Sequence, residues 1–412
     1  MQRVVVTGVG ALTPIGLTAP EFWDNLIAGV SGVARITAFD PSPLEVQIAA
    51  EVKGFDPKDF IDFKAARRMD RYSQLAVAAA GEAIKDAALP LDGENTYRVG
   101  VMINTGGGGI QTLTREVLVH HTKGPNRVSP FFIPMFAPNM AACQVSITYG
   151  IQGPVLASVA ACAAGTQAFV DALRMLRLGE LDVMIAGGTE AGIDPVSVAA
   201  FGNMGALSKR NDDPEHASRP FDRDRDGFVF GEGAAVFVLE TEEHARKRDA
   251  RIYCELVGGA MTADAFHLTA PLPGGAGAAR AMRLALDSAD MRPSDLDYIC
   301  AHGTSTPLND SSETEAIKSV FGEASRKVTI SSIKSMIGHL VGASGAVSGI
   351  ACVYAIRDGI VPPTINLVNP DPECDLDYTP LKSREMRVDS AMANAFGFGG
   401  QNAVAIFRRY DS

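Results

Sequence analysis

Short apolar runs alternate along the chain with segments of helical period, the pattern of an α/β protein. Val4–Thr7, Val99–Ile103, Val155–Val159, Asp182–Ala186 and Ala235–Leu239 read as strands in the first part. Ile252–Val257, Tyr298-Ile299-Cys300 and Val328-Thr329-Ile330 read as strands in the second. The clearest change of period follows Cys162, where Phe169, Ala172, Leu173 and Leu176 share one helical side and Arg174 and Arg177 the other. Gly179 is placed to stop that helix. No tandem repeat of solenoid length is visible, but a coarser duplication is. One half opens on Val4–Thr7 with Gly8-Val9-Gly10, the other on Ile252–Val257 with Gly258-Gly259. Each half then presents a strand, a sharp turn and a small-residue helix, at Cys162 in one and across Lys334–Ala346 in the other. The charged stretch Glu243–Arg251 marks the boundary, which predicts units 1–250 and 251–412.

Composition narrows the class. A chain of 412 residues with 46% hydrophobic and 21% charged positions is ordinary for a soluble globular protein, and is long enough for two packed halves. A net charge of −11 argues against nucleic acid as a partner. The six cysteines are scattered, without CxxC pairs, so the reading is a reducing, cytoplasmic setting with no disulfide framework and no metal site, and Cys143, Cys254 and Cys352 read as plain core residues. The N-terminus enters a strand directly and predicts no signal peptide. The longest uncharged stretch, Val128–Val170, is broken by Pro130, Pro134, Pro138 and Pro154, which excludes a membrane helix and points to a core or a subunit interface. Gly106–Gly109 lacks the spacing of a nucleotide loop, and Asp222, Asp224 and Asp226 lack the remaining ligands of a calcium loop; no cofactor is expected.

The candidate chemistry starts at Cys162, on the junction of strand and helix. Unsatisfied N–H groups and the helix dipole favour a thiolate there, and Ala160, Ala161, Ala163, Ala164 and Gly165 leave room for a substrate. His302 and His339 each lie just past a strand end, where open α/β sheets collect ligands, and Lys334 precedes His339 by five residues. Together these groups suit chemistry on a thioester.

The segments Ala301-His302-Gly303-Thr304-Ser305-Thr306-Pro307 and Lys334-Ser335-Met336-Ile337-Gly338-His339-Leu340-Val341-Gly342-Ala343-Ser344-Gly345 closely resemble motifs of the β-ketoacyl-[acyl carrier protein] synthases. So do Ser218–Asp222, Gly231-Glu232-Gly233-Ala234, Pro362–Asn366 and Asn394–Gly400, in the family's order over the whole chain. Length and detail are most similar to the branch that elongates medium and long acyl chains. The resemblance implies a thiolase-like five-layer α-β-α-β-α sandwich of two duplicated halves. It also implies a homodimer through the region before Cys162, and an acyl carrier protein as partner. Its chemistry is a decarboxylative condensation, with Cys162 as nucleophile, His302 and His339 as donors to the malonyl thioester, and Lys334 as electrostatic organiser. Backbone amides of Cys162 and Phe398 would hold the oxyanion, Phe398 would gate the pocket, and Thr304 and Thr306 would bind the pantetheine arm.

Some positions stay open. Glu313 is either the partner of Lys334 or an exposed helix residue, and Phe396 and Phe398 form either a packed turn or a mobile gate. Gly107 either lines the acyl pocket or supplies a positive backbone angle. Lys64, Arg67, Arg68 and Arg71 share one face if helical, a docking patch for an acidic carrier through Lys64, Arg67 and Arg68. Ala160-Ala161-Cys162-Ala163-Ala164 departs from the family's Thr-Ala-Cys, and Cys300 and Ser348 replace the Asn and Glu around its monovalent cation. A thiolase would need a second catalytic cysteine near the C-terminus, where Cys374 is the last. A polyketide ketosynthase and a chain-length-factor-like partner subunit are the remaining alternatives, the latter opposed by the presence of Cys162.

Overall fold

The computed structural model describes residues 2–91 and 96–411. Ten strands form one sheet: β1 Val4–Leu12, β2 Val99–Asn104, β3 Val155–Leu156, β4 Val183–Glu190, β5 Gly233–Thr241, β6 Cys254–Ala263, β7 Tyr298–Cys300, β8 Thr329–Ser331, β9 Ser390–Gly397 and β10 Gln401–Arg408. Their spatial order is β8-β7-β9-β10-β6-β1-β5-β4-β2-β3. Chain order thus divides the sheet at a seam where β1 meets β6 through only Val5↔Glu255 and Val6↔Cys254. The pairing pattern is the same on both sides. β1–β5 and β5–β4 are antiparallel and β4–β2 and β2–β3 parallel; β6–β10 and β10–β9 are antiparallel and β9–β7 and β7–β8 parallel.

The near-continuous apolar runs of β1, β4 and β5 are buried on both faces, as strands covered by helices must be. Helix α1, Arg71–Asp86, packs on β1, β5 and β4 on the outer side of the first five strands, and α3, Ala276–Ser288, packs on β6 and β10 of the second five. Helices α2, Ala164–Arg177, and α5, Ser344–Asp358, lie between, packed on each other and on strands of both halves. The result is the expected five layers. α2 and α5 approach closely at two glycines. A Cβ on Gly165 would lie 2.6 Å from the amide nitrogen of Ala346, and one on Gly345 2.6 Å from that of Thr166. The fifth helix needed below, α4, spans Pro307–Phe321.

Four sequence expectations change. The strand expected over Val155–Val159 is only Val155–Leu156, because β3 is the sheet edge and has a partner on one side alone; Val159 is exposed. Lys64, Arg67, Arg68 and Arg71 do not share one helix. The helix Phe63–Ala66 ends, and Asp70, accepting from the Tyr72 N–H, caps a new one at Arg71. Arg71 turns inward to a bidentate pair with Glu232 (2.7 and 2.9 Å), whereas Lys64, Arg67 and Arg68 stay exposed. Phe396 belongs to β9 rather than a loop, and Cys143, expected in the core, is only half-buried. Among the described residues no helix is long and apolar enough to cross a membrane.

Candidate active site

Cys162 occupies a 3₁₀ turn, Ala161–Ala163, that opens α2. Ala161 takes φ +46°, which bends the chain sharply from the edge strand into the helix. Gly397 packs over this turn: a Cβ there would stand 3.1 Å from the Cys162 nitrogen. His302 follows β7, and His339 lies between β8 and α5. The Cys162 sulfur and one ring nitrogen of each histidine all lie within 4.8 Å of one another, and all three residues are buried. The two imidazoles meet edge to face, with centroids 5.4 Å apart.

Each histidine is held differently. His339 Nδ1 bonds the Ser344 hydroxyl at 2.7 Å, and its backbone N–H donates to Val229 O. His302 is fixed through its backbone: its N–H and that of Gly303 donate to the Glu313 carboxylate at 2.9 and 2.7 Å, and Asn394 Nδ2 adds a third bond at 3.1 Å. Glu313 is therefore neither exposed nor, among the described residues, ion-paired with Lys334. It anchors the His302 turn. His302 Nδ1 is buried and has no hydrogen-bond partner among the described residues.

The electrostatics correct the expected thiolate. Burial pushes the Cys162 thiol up to about 11, although the Phe398 N–H and the Lys334 charge favour its anion. Removing the sulfur from water outweighs the helix terminus. Burial, followed by the Lys334 charge, holds His302 and His339 well below the usual imidazole range, so both rings are neutral. Burial also lowers Lys334, against the pull of Cys300, Glu313 and Cys162.

A cavity of about 580 Å³ opens onto these groups. Cys162, His302, His339, Thr304, Thr306, Gly107, Phe396 and Phe398 all line it. The Thr304 and Thr306 hydroxyls bond each other at 2.9 Å. Gly108, not Gly107, takes the left-handed conformation (φ +65°), and a Cβ on Gly107 would meet only Glu190 Oε1 at 3.5 Å. The backbone explanation for Gly107 therefore fails, and its position on the wall stands. Lys334 lies outside the lining, and Lys64, Arg67 and Arg68 lie on the surface away from it. Arg68 stacks over the Phe131 ring at 4.7 Å. Sequence reasoning missed Glu190, a buried carboxyl in the cavity wall. Its only signal was an acid closing an otherwise uncharged strand.

Residues 1–245 match the family model for the Beta-ketoacyl synthase, N-terminal domain, and residues 253–368 that for the C-terminal domain. The chain is 51% identical over 409 residues to a 3-oxoacyl-[acyl-carrier-protein] synthase 2 of Synechocystis sp., covering 99% of this chain and 98% of the relative. It is 48% identical over 411 residues to the Staphylococcus aureus protein of the same name, covering 100% and 99%. Solved structures covering all of both chains include a type II PKS acyl-carrier protein in complex with its ketosynthase bound to the hexaketide (36% identity, TM-score 0.91). Another is a beta-ketoacyl synthase from Burkholderia phymatum (36%, TM-score 0.93).

Proposed function

Because the chain belongs to the β-ketoacyl synthase family, we propose that it condenses malonyl-acyl carrier protein with an enzyme-bound acyl group in fatty acid chain elongation. The observation that carries this reading is the convergence of Cys162, His302 and His339 within 4.8 Å at the cavity.

Cys162 attacks the acyl-carrier thioester. The oxyanion forms against the N–H groups of Cys162 and Phe398, and collapse leaves acyl-Cys162 and a carrier thiol. The sulfur starts protonated, so its proton passes to a neutral imidazole and then to the departing carrier sulfur. Malonyl-carrier then loses CO2. His302 and His339 donate to the thioester oxygen as the enolate develops, and Lys334 keeps the site positive toward the carboxylate. The enolate carbon attacks the acyl carbon, and the second tetrahedral intermediate expels the Cys162 thiolate, which takes up a proton. The product is a 3-oxoacyl-carrier two carbons longer. Thr304 and Thr306 bind the pantetheine arm, Phe396 and Phe398 border and gate the entrance, and Lys64, Arg67 and Arg68 receive the acidic carrier.

Val117, Leu118, Ile133, Ile147, Leu156 and Val159 are exposed in and beside the uncharged stretch, which supports a homodimer across this face. A solution mass of one chain would remove that reading. The six free cysteines support a cytoplasmic location. Residues 1–250 and 251–412 are the two thiolase-like units in this scheme. A ketosynthase of a type II polyketide pathway is the second reading, favoured by the 36% identical ketosynthase–carrier structure. Intact mass of the carrier after incubation with acyl-carrier and malonyl-carrier tests both. One two-carbon extension per turnover on a saturated, reduced primer supports the first, repeated unreduced extension supports the second, and no extension overturns both.

A further inference from the structure

Glu190 ends β4 with its carboxylate buried in the cavity wall. Oε2 accepts from the N–H of Gly106 at 2.7 Å and of Gly342 at 3.0 Å; Oε1 accepts from the N–H of Gly107 at 3.2 Å and the Thr105 hydroxyl at 3.4 Å. Gly106 and Gly107 form the glycine wall after β2, while Gly342 belongs to the turn Val341–Ala343, directly after His339. The two segments are pressed together: a Cβ on Gly342 would stand 2.3 Å from the Gly106 nitrogen. Val341, held at φ +43°, lines the same cavity.

We propose that Glu190 is a positioning residue that locks the glycine wall of the acyl pocket to the turn after His339, so that acyl occupancy and the geometry of the condensation step are set together. The proposal rests on the functional reading above. Three backbone N–H groups converge on one point, and only an acceptor-only side chain satisfies them all. No cation pairs with Glu190 among the described residues, so its buried charge is held by those N–H groups. Burial pushes its carboxyl up to about 7. The second half offers a parallel: Glu313 accepts from two consecutive amides, His302 and Gly303, in the turn after β7. Glu190 differs in reaching across to the other half of the molecule.

The test uses Glu190→Gln, Glu190→Asp and wild type. Cys162 alkylation by N-alkyl iodoacetamides of increasing chain length is followed by intact mass over a pH series, alongside condensation kinetics and thermal stability. The titratable groups and donors that face Cys162 are His302, His339, Lys334, Glu190 and the Phe398 N–H. Removing the Glu190 charge lowers the pH midpoint of alkylation in E190Q. Loosening the wall slows the long reagents relative to the short ones. Condensation kcat falls about tenfold or more, with little change in the KM for malonyl-carrier. E190D, which keeps the acceptor-only group, falls between E190Q and wild type. An unshifted midpoint with a wild-type length profile overturns the proposal. So does a uniform loss at every length that tracks reduced thermal stability, and if E190Q does not fold, a wild-type length profile and kcat in E190D overturn it. Failure of the functional reading is distinguishable: wild type would then alkylate normally yet not condense, and the alkylation arms would still decide the clamp.

Discussion

In the first half, β3 runs through the turn Ala161–Ala163 into α2; in the second, β8 runs through Lys334–His339 and the turn Val341–Ala343 into α5. The two turns share their backbone to a detail, with Ala161 at φ +46° and Val341 at φ +43° leading each. In one, the next residue is Cys162; in the other it is Gly342. The same local geometry presents a sulfur in one half and a bare amide, bound by Glu190, in the other. The loops after β2 and β7 differ similarly. Gly106-Gly107 leaves space for a substrate, whereas His302-Gly303 places an imidazole there. A duplicated frame thus carries the cavity cysteine in one half and both imidazoles in the other, and the difference lies in side chains rather than backbone.

The largest expected effect breaks the asymmetry outright. Cys162→Ala, which makes the first turn as inert as the second, should abolish acyl transfer to the protein and reduce condensation by roughly 10³-fold or more, read by peptide mass spectrometry and product mass. Wild-type condensation by that variant would end the covalent mechanism. His302→Ala and His339→Ala should each cost about 2.7–4 kcal/mol in the decarboxylation barrier. Acylation should be largely spared, because either remaining neutral imidazole receives the thiol proton. Retained malonyl decarboxylation in both variants would sink their assigned roles. Gly342→Ala asks whether the second turn tolerates what the first carries. With the Gly106 nitrogen 2.3 Å from the added carbon, unfolding free energy should drop by about 1–3 kcal/mol. An unchanged denaturation midpoint would show that the two loops are not interlocked.

Gly107→Ile sharpens the comparison on the substrate side. It should discriminate against longer primers by up to about 0.8 kcal/mol per excluded methylene, measured as kcat/KM across a primer series at unchanged thermal stability. A uniform loss at all lengths would take Gly107 off the acyl path. The smallest effect is expected at the surface. Arg68→Glu should raise the carrier KM by a few-fold, on the order of 1 kcal/mol, more at low salt than at high. An unchanged low-salt KM would reduce Lys64, Arg67 and Arg68 to a solvated patch.

The convergence of Cys162, His302 and His339 was legible in the sequence because each sits in a local signature, a strand end running into small residues. The five layers were implied by the resemblance of the motifs to the β-ketoacyl synthases, whereas the apolar runs by themselves indicated two α/β halves. What failed was non-local. Nothing in the spacing of Lys64–Arg71 reveals that Asp70 restarts the helix or that Glu232, far along the chain, draws Arg71 inward. Motif position, eleven residues after His302, suggested Glu313 as a partner for Lys334, but two unsatisfied backbone amides claimed it first. The thiolate inferred from a helix terminus neglected burial, which depends on the whole fold. Glu190 escaped notice because its partners come from two segments far apart in the chain, Thr105–Gly107 and Gly342.

The crossing of α2 and α5 at Gly165 and Gly345 bears on how the protein tolerates change. Each glycine acts as a mechanical stop, its hydrogen the only spacer between two helices whose first turns carry the nucleophile and follow His339. A methyl group at either crossing would work as a wedge, levering Cys162 away from the imidazoles while every reacting atom remained chemically intact. Inactivating substitutions are therefore to be sought in the scaffold's narrowest gap as much as among the groups that do the chemistry.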